Sequence, residues 1–319
     1  MFPTSILLSQ AKINGDSPLN ILLTVDNYYT RQPVSVPTLY SYDTEREILS
    51  EFCNHEPALD RKKLIDCKRD TFRPFGIALL DDNSVLVASH DVVGVFCLDT
   101  GVFEGIVPEI QAFPNTHQLA TSEGKVYLAN TANDSLGIFD VATKQMSFFD
   151  FKSFCVTDTV VQTKDAESSD NQHINSVNVA DGKVYVVAHR LGKKMSSIYC
   201  FDQTTFSLIW QKNAGYCAHN TAIVGNCLYT LSTLTGDLVV VDLTTFEKST
   251  IRITNPENSF LRGLRSSGTD LYFVSSMNFQ NPNSPKECWL FRFDTVTKSI
   301  TKKFNLDPVL VVNDIAVIA

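Results

Sequence analysis

The chain has 319 residues, of which 44% are hydrophobic and 19% charged, a composition typical of folded globular proteins and not of disordered or fibrous ones. Acidic residues outnumber basic ones by 35 to 27, which gives a formal net charge of −8. Nucleic acids and anionic membranes repel such a charge unless a basic patch overrides it, and the sequence contains no such patch, so neither is expected as a partner.

No segment approaches the ~18 consecutive apolar residues that a membrane helix needs, and the first residues lack the basic stretch of a secretory signal. The eight cysteines are scattered singly along the chain. Such spacing indicates reduced, mostly buried thiols and neither a disulfide framework nor a metal finger. We therefore expect a cytoplasmic protein.

An apolar residue followed by Asp and a short polar turn recurs along the chain. Asp suits this place because its short side chain hydrogen-bonds its own backbone and starts a turn between two strands. The neighbouring segments, such as LGIFD and DLVVVD, are rich in Val, Ile, Tyr and Phe and alternate as strands do. One such turn is expected in each of six units, at Asp43, Asp99, Asp140, Asp202, Asp242 and Asp294.

Each of the last five turns is preceded by a strand such as EGKVYLANT, and that strand by another, such as HINSVNV. With the strand that follows the Asp turn, every unit has four strands in about 40 to 60 residues. Four-stranded repeats of this length are typical of β-propeller blades. We predict an all-β fold, a six-bladed β-propeller with four strands in each blade.

The two ends of the chain complete the count. The segment from Asn20 onward lacks a first strand, whereas the C-terminal VVNDIAVIA resembles a first strand with nothing after it. Pairing the two closes the ring and hides the edges of an open sheet, although SILLSQA near the N-terminus competes for this place. We expect a single domain, 1–319, with an acidic insertion at 152–171. The blades are expected at approximately 20–66 with 309–319, 70–110, 114–151, 172–213, 217–254 and 259–305.

Polar residues recur at one place in the first strands. Counting back eight residues from the start of each second strand gives His117, Asn175, His219 and Arg262. The first strands of a propeller surround its central channel, so these side chains should meet near one axis. A step back of two residues keeps a side chain on the same face and adds His173.

Two more histidines, His90 and His189, end second strands, on the face where the first strands begin. Five of the six histidines are therefore expected at one mouth of the channel. Substrate binding at this mouth is assigned to Arg262, Asn175, Arg73, His90 and His189.

Two chemistries fit these residues. His117, His173 and His219 could bind one divalent transition metal (Fe, Zn, Mn or Cu) and leave a position open for water or substrate. Alternatively, the histidines act as acid–base groups, while Arg262 holds a carboxylate or phosphate through its planar fork. The same side chains could also serve only to satisfy backbone groups and ordered water in a wet channel.

These residues favour an enzyme that acts on a small-molecule substrate as a hydrolase, lyase or isomerase, with His173, His219 and Arg262 as catalytic residues. The alternative is a non-catalytic propeller scaffold that binds a protein or peptide partner over one face. No feature of the sequence indicates the oligomeric state.

The repeat architecture resembles that of the six-bladed propellers that include gluconolactonase, strictosidine synthase-like and NHL-repeat proteins. The first strands HINSVNV and VVNDIAVIA also look like those of bacterial propeller proteins. The resemblance to the calcium-dependent lactonases of this fold implies an acidic residue and asparagines in the channel. Asn175, Asn313 and Asp314 match in kind, but histidines replace the rest. This departure disfavours lactonase activity and favours a softer metal or none.

Overall fold

The structure is a computed structural model. It describes residues 19–25, 39–53, 74–89, 92–110, 116–151, 172–189, 195–255, 257, 259–278, 281, 283–309 and 311–318.

The described chain forms six antiparallel sheets of four strands each. The strands of the first three blades are β1 Asn20–Val25, β2 Leu39–Asp43, β3 Ile48–Glu51, β4 Ile77–Leu79, β5 Ser84–Ala88, β6 Val93–Cys97, β7 Phe103–Ile106, β8 Thr116–Ser122, β9 Lys125–Asn130, β10 Ser135–Asp140 and β11 Gln145–Asp150. Those of the last three are β12 Ile174–Ala180, β13 Lys183–His189, β14 Met195–Asp202, β15 Leu208–Tyr216, β16 Ala218–Val224, β17 Cys227–Ser232, β18 Asp237–Asp242, β19 Lys248–Arg252, β20 Ser259–Ser267, β21 Asp270–Met277, β22 Trp289–Asp294 and β23 Ser299–Asn305, and β24 is Val312–Ile318.

The one helical element among these residues is a short 3₁₀ helix at Pro108–Ile110. No helix in the described part of the chain has the length and apolar character needed to cross a membrane.

The C-terminal strand closes the ring. β24 pairs antiparallel with β1, from Asn20 opposite Ile318 to Thr24 opposite Asp314, and the first sheet has the order β24–β1–β2–β3. The prediction that the ends of the chain share one blade is confirmed, and so is the six-bladed β-propeller. The competing segment SILLSQA lies outside the described residues.

The hydrophobic core is divided among the gaps between blades. Six clusters of buried side chains each combine residues of two successive blades, and one of them joins Tyr272 and Leu290 of the last blade to Ile21 and Tyr42 of the first. The second strands, such as the run from Val126 to Asn130, are buried on both faces because a neighbouring blade covers each face. Apolar burial therefore holds every blade to both neighbours, the last and first included.

The Asp turns work as the sequence predicts in five blades. In the fourth blade, Oδ1 of Asp202 accepts hydrogen bonds from the backbone N–H groups of Thr204 and Thr205, at 3.0 and 2.8 Å. These bonds, led by that from Thr205, lower the pKa of the Asp202 carboxyl. The equivalent carboxyls with a lowered pKa are those of Asp43, Asp140, Asp242 and Asp294.

In the second blade the turn residue is Cys97, so the assignment of Asp99 to this position was wrong. Cys97 ends β6 as Asp202 ends β14, and its N–H donates to the carbonyl of Val102 at 2.9 Å, as the N–H of Asp202 donates to Ser207 at 3.0 Å. The Thr100 hydroxyl and the N–H groups of Thr100 and Asp99 lower the pKa of the Cys97 thiol. A thiol therefore occupies a nest of donors that holds a carboxylate in the other five blades.

Replacing Cys97 by Asp should stabilise the protein, because a carboxylate accepts these hydrogen bonds more strongly than a thiol does. We expect the melting temperature in differential scanning calorimetry to rise by about 1–2 °C. The matched control, Asp202→Cys, should lower it by a similar amount. A lower melting temperature for Cys97→Asp would show that the two turns are not equivalent.

Candidate functional site

The first strands bulge at a common depth beside the channel. Pairing with the second strand shifts between Thr116 and Gln118 in β8, and similar shifts occur in β12, β16, β20 and, opposite β1, in β24. A bulge leaves a residue unpaired and changes the direction of nearby side chains. The residues inside these bulges are His117, Asn175, Asn220, Gly263 with Leu264, and Asn313.

The eight-residue count used for the sequence is therefore shifted by one position in the last two blades. The bulge falls on Asn220 and not on His219, and on Gly263 and not on Arg262. Both bulge residues have left-handed backbone conformations, with φ of 55° and 66°. Gly and Asn are among the residues that adopt this conformation most readily.

A buried carboxylate lies next to these bulges and bonds to residues of three other blades. Asp314 of β24 is 1% exposed, and its Oδ2 accepts from Arg265 Nη2 at 2.8 Å and from the N–H of Ile77 at 3.2 Å. Its Oδ1 accepts from Nδ2 of Asn220 at 2.9 Å, and Oδ1 of Asn220 accepts from the N–H of Gly263 at 2.8 Å. Asp314, Arg265 and Asn220 are called the latch below, because they tie the first blade to the second, fifth and sixth.

Burial raises the pKa of Asp314, although the Arg265 guanidinium acts in the opposite direction. Loss of solvent thus outweighs the attraction of the ion pair. The latch lies at the bulges of β16, β20 and β24, at the base of one mouth of the channel.

Aromatic rings from three successive blades line this mouth. Phe75 stacks on His117 with ring centroids 5.3 Å apart, and His117 meets His173 edge to face at 5.1 Å. The ring of His173 then lies 4.4 Å from that of His189.

The contacts continue through the remaining blades. His189 lies 6.1 Å from His219, which lies 5.4 Å from Phe260. The guanidinium of Arg262 sits over Phe260 at 4.8 Å and donates to Oδ1 of Asn313.

Asn313 closes this circle, because its Nδ2 donates to the carbonyl of Pro74 at 2.7 Å, next to Phe75. All six blades contribute to the resulting belt. The belt consists of Phe75, His117, His173, His189, His219, Phe260, Arg262 and Asn313.

The tautomer of His219 follows from its hydrogen bonds. Its Nδ1 lies 2.9 Å from the carbonyl oxygen of Cys217 and 2.8 Å from Oγ1 of Thr233. A carbonyl can only accept, and the Thr233 hydroxyl donates to the carbonyl of Leu261 at 2.7 Å, so Nδ1 carries the proton. The neutral ring then has its lone pair on Nε2, to which no described residue is hydrogen bonded.

His189 stands where other blades have a hydroxyl. Six residues after the start of the second strand, Thr131 and Thr233 donate to carbonyls of the next blade at 2.6 and 2.7 Å. Nδ1 of His189 is buried and has no hydrogen-bond partner in the described part of the chain. Buried polar atoms are normally satisfied by protein, water or ligand, so this nitrogen is a candidate contact for a bound molecule.

Electrostatics keep the two buried imidazoles neutral. Burial lowers the pKa of His189 and of His219 well below the ordinary value, and the cationic Arg262 and neighbouring histidines lower it further. Arg262 is the permanently charged group that acts on both, and its positive field complements an anion. His117, His173 and Arg262 are partly exposed, so the belt has a buried layer and a solvent-facing layer.

The backbone at His173 is held by a residue that the sequence did not indicate. Oδ1 of the buried Asp134 accepts from the N–H groups of Gln172 and His173, each at 3.0 Å. His173 itself has a left-handed φ of 49°. Asp134 therefore fixes the turn that places this imidazole in the belt.

The predicted site residues divide into three groups. The structure brings His117, His173, His189, His219 and Arg262 together in the belt. Asn175 is buried in the bulge of β12 and makes no hydrogen bond or ring contact with belt residues in the described part of the chain. Arg73, His90 and the insertion 152–171 lie outside the described residues.

The sequence predicted a divalent metal at His117, His173 and His219. No group of three or more His, Cys, Asp or Glu side chains among the residues with described positions is arranged to hold one. The divalent metal expected at His117, His173 and His219 stays a prediction.

Comparisons with known proteins define the fold alone. No protein-family model and no curated protein matches the chain. A chain of the Nidogen/Laminin complex has a TM-score of 0.64 at 13% identity, covering 94% of this chain and 98% of its own. A protein of unknown function from Bacteroides caccae scores 0.60 at 10% identity, with coverages of 94% and 99%.

The hydrazine synthase of Kuenenia stuttgartiensis scores 0.52 at 15% identity, covering 76% of this chain and 69% of its own. The neighbours thus include a binding complex and an enzyme, so the fold is compatible with both classes of function. The narrower resemblance to gluconolactonase, strictosidine synthase-like and NHL-repeat proteins stays a prediction.

The lowered pKa of His189 and His219 predicts a loss of stability as the pH falls. Unfolding restores an ordinary pKa near 6.5, so the unfolded chain binds more protons than the native protein as the pH falls through that value. Between pH 7.5 and 5.5, His189 and His219 together should cost about 2–3 kcal/mol of unfolding free energy.

Urea unfolding at both pH values, on the wild type and on the double variant His189→Gln/His219→Gln, measures this cost. On acidification, the double variant should lose about 2–3 kcal/mol less unfolding free energy than the wild type loses. For each single variant the difference from the wild type should be about half of that. Equal losses in the wild type and the double variant would show that these imidazoles are not held neutral.

Proposed function

We propose that the belt binds a small organic anion and that the protein acts on it, as a hydrolase, lyase or isomerase, through proton transfer by imidazole. The observation that carries the proposal is the fixed tautomer of His219. Its Nδ1–H is held by Cys217 and Thr233, and its unprotonated Nε2 is a base on the wall of the mouth. This arrangement of an oriented imidazole is the one that general base catalysis requires.

Arg262 is the proposed anion-binding group. Its guanidinium is placed by Phe260 and Asn313 and is partly exposed at the mouth. A planar fork of donors suits a carboxylate or phosphate, and the rings of Phe75 and Phe260 offer apolar surface for the rest of a small molecule. His189, whose Nδ1 has no described partner, would add a polar contact.

Ligand binding would also tune the base. Burial, followed by Arg262 and the neighbouring imidazoles, lowers the pKa of His219, and a bound anion opposes the effect of Arg262. The pKa of the imidazole would then rise from its lowered value, which makes Nε2 a stronger base.

A cytoplasmic location belongs to this proposal as well. Four of the described cysteines, Cys97, Cys200, Cys227 and Cys288, are free thiols. Free thiols are typical of reducing compartments.

The alternative function is a scaffold that binds a protein or peptide. The observation in its favour is the outer edge of the fourth blade, where Leu208, Ile209 and Tyr216 of β15 are 40–48% exposed. An exposed apolar edge strand can accept a partner strand.

A panel of mono- and dicarboxylates of two to six carbons tests the proposal. Saturable binding, followed by the imidazole resonances in NMR, should weaken at least tenfold in Arg262→Gln. The matched control is Arg252→Gln, which changes an arginine 65% exposed on an outer strand and should bind as the wild type does.

Turnover of the panel member that binds best should fall at least 100-fold in His219→Gln while binding persists. Turnover falls while binding persists because the variant lacks the Nε2 base but keeps Arg262. Absence of binding by every panel member, or unchanged turnover in His219→Gln, would contradict the proposal, and the first result would favour the scaffold.

A further inference from the structure

The opposite mouth of the channel contains a cavity of about 210 Å³. Its lining takes residues from all six first strands, beyond the bulges and on the far side of the latch from the belt. Each blade contributes at least one lining residue, and examples from the first to the sixth blade are Ala316, Leu79, Leu119, Val177, Thr221 and Arg265. Drug-sized ligands occupy pockets of roughly 300–1,000 Å³, so this volume suits a smaller molecule.

Two residues of this lining, Thr221 and Arg265, have hydrogen-bond donors without a partner among the described residues. Thr221 is 2% exposed, and its Oγ1 has no partner among the described residues. Its carbonyl accepts from Nδ2 of Asn178 at 3.0 Å, which fixes the backbone there. A buried hydroxyl without a partner costs free energy, which a ligand acceptor at this place would recover.

Arg265 supplies further donors. Its Nη2 binds Asp314 and the carbonyl of Ile77, and its Nη1 binds the carbonyl of Leu264 at 3.1 Å. A guanidinium has five N–H groups, so Nε–H and one Nη1–H remain without a partner in the described part of the chain. Arg265 is 21% exposed at its side chain, and these donors are available to a molecule in the cavity.

Charge balance selects the kind of acceptor. Arg265 already forms an ion pair with Asp314 at 2.8 Å, so the pair is neutral as a unit. An anion in the cavity would place a net negative charge beside the buried Asp314 carboxylate, which is unfavourable. The remaining walls combine aliphatic residues such as Leu79, Leu119 and Val177 with the polar residues Thr121, Asn178 and Ser266.

We propose that this cavity binds a neutral carbonyl compound with a short aliphatic chain, whose oxygen accepts hydrogen bonds from Arg265 and Thr221. The site is separate from the belt and independent of the function proposed for it. The two arginines, Arg262 and Arg265, then serve ligands of different charge at opposite ends of one channel.

Pentanamide and pentanoate test the proposal directly, because they share shape and chain length and differ in charge. Saturation-transfer NMR on the full chain should show pentanamide binding at least tenfold more tightly than pentanoate. Thr221→Val removes the hydroxyl and keeps the shape, and it should weaken pentanamide binding about three- to tenfold. The matched control, Thr250→Val on an exposed outer strand, should bind as the wild type does.

Two further variants complete the design. Ala120→Met fills the cavity from a partly exposed position and should abolish binding, which keeps the test valid if Thr221→Val fails to fold. Arg262→Gln in the belt should have no effect. The proposal is overturned if pentanamide does not bind, if pentanoate binds equally well, if Ala120→Met binds normally, or if Arg262→Gln weakens binding as much as Thr221→Val.

Discussion

One buried carboxylate, that of Asp314, constrains the whole ring. It lies on the strand that closes the propeller and reaches Arg265 in the sixth blade, Ile77 in the second and Asn220 in the fifth. A charge so deeply buried is stable only with its partners in place, and removal of one partner from such a pair typically costs about 3–5 kcal/mol. The latch therefore makes the position of the last strand specific, while apolar burial between the blades supplies most of the stability.

The latch also divides the channel into two chemically different ends. Arg262 and Arg265 are three residues apart on β20, yet the first joins the belt and the second joins the latch. The bulge at Gly263 and Leu264 makes this possible. A Cβ at Gly263 would lie 3.1 Å from a side-chain carbon of Ile315 and 3.3 Å from its backbone nitrogen. With a φ of 66° as well, the position favours glycine.

The sequence predicted most of the fold and part of the belt, for a physical reason. Repeated turns and alternating strands are local patterns, and the need to hide a sheet edge made the C-terminal strand the natural closure. The histidines were found because polar residues at strand starts stand out against apolar neighbours. Phe75 and Phe260 were missed because an aromatic residue beside a strand looks like core in a sequence.

The remaining differences come from features that have no local signature. A bulge moves the register by one residue, so Asn220 takes the place expected for His219. In the second blade, Cys97 occupies the turn position that is Asp in the other five blades. The sequence pattern pointed instead to Asp99, two residues later. The carboxylate of Asp314 in the latch accepts from the N–H of Ile77, 237 positions away in the chain, and only a closed ring brings the two residues together.

A double-mutant cycle on Asp314 and Arg265 tests most directly whether the latch holds the ring. Urea unfolding of Asp314→Ala, Arg265→Ala and the double variant gives the coupling energy, with the exposed pair Arg292 and Asp270 as the reference. The latch account predicts a coupling of about 1–3 kcal/mol for the buried pair and no more than about 1 kcal/mol for the exposed one. Additive losses at Asp314 and Arg265, within about 0.5 kcal/mol, would contradict it.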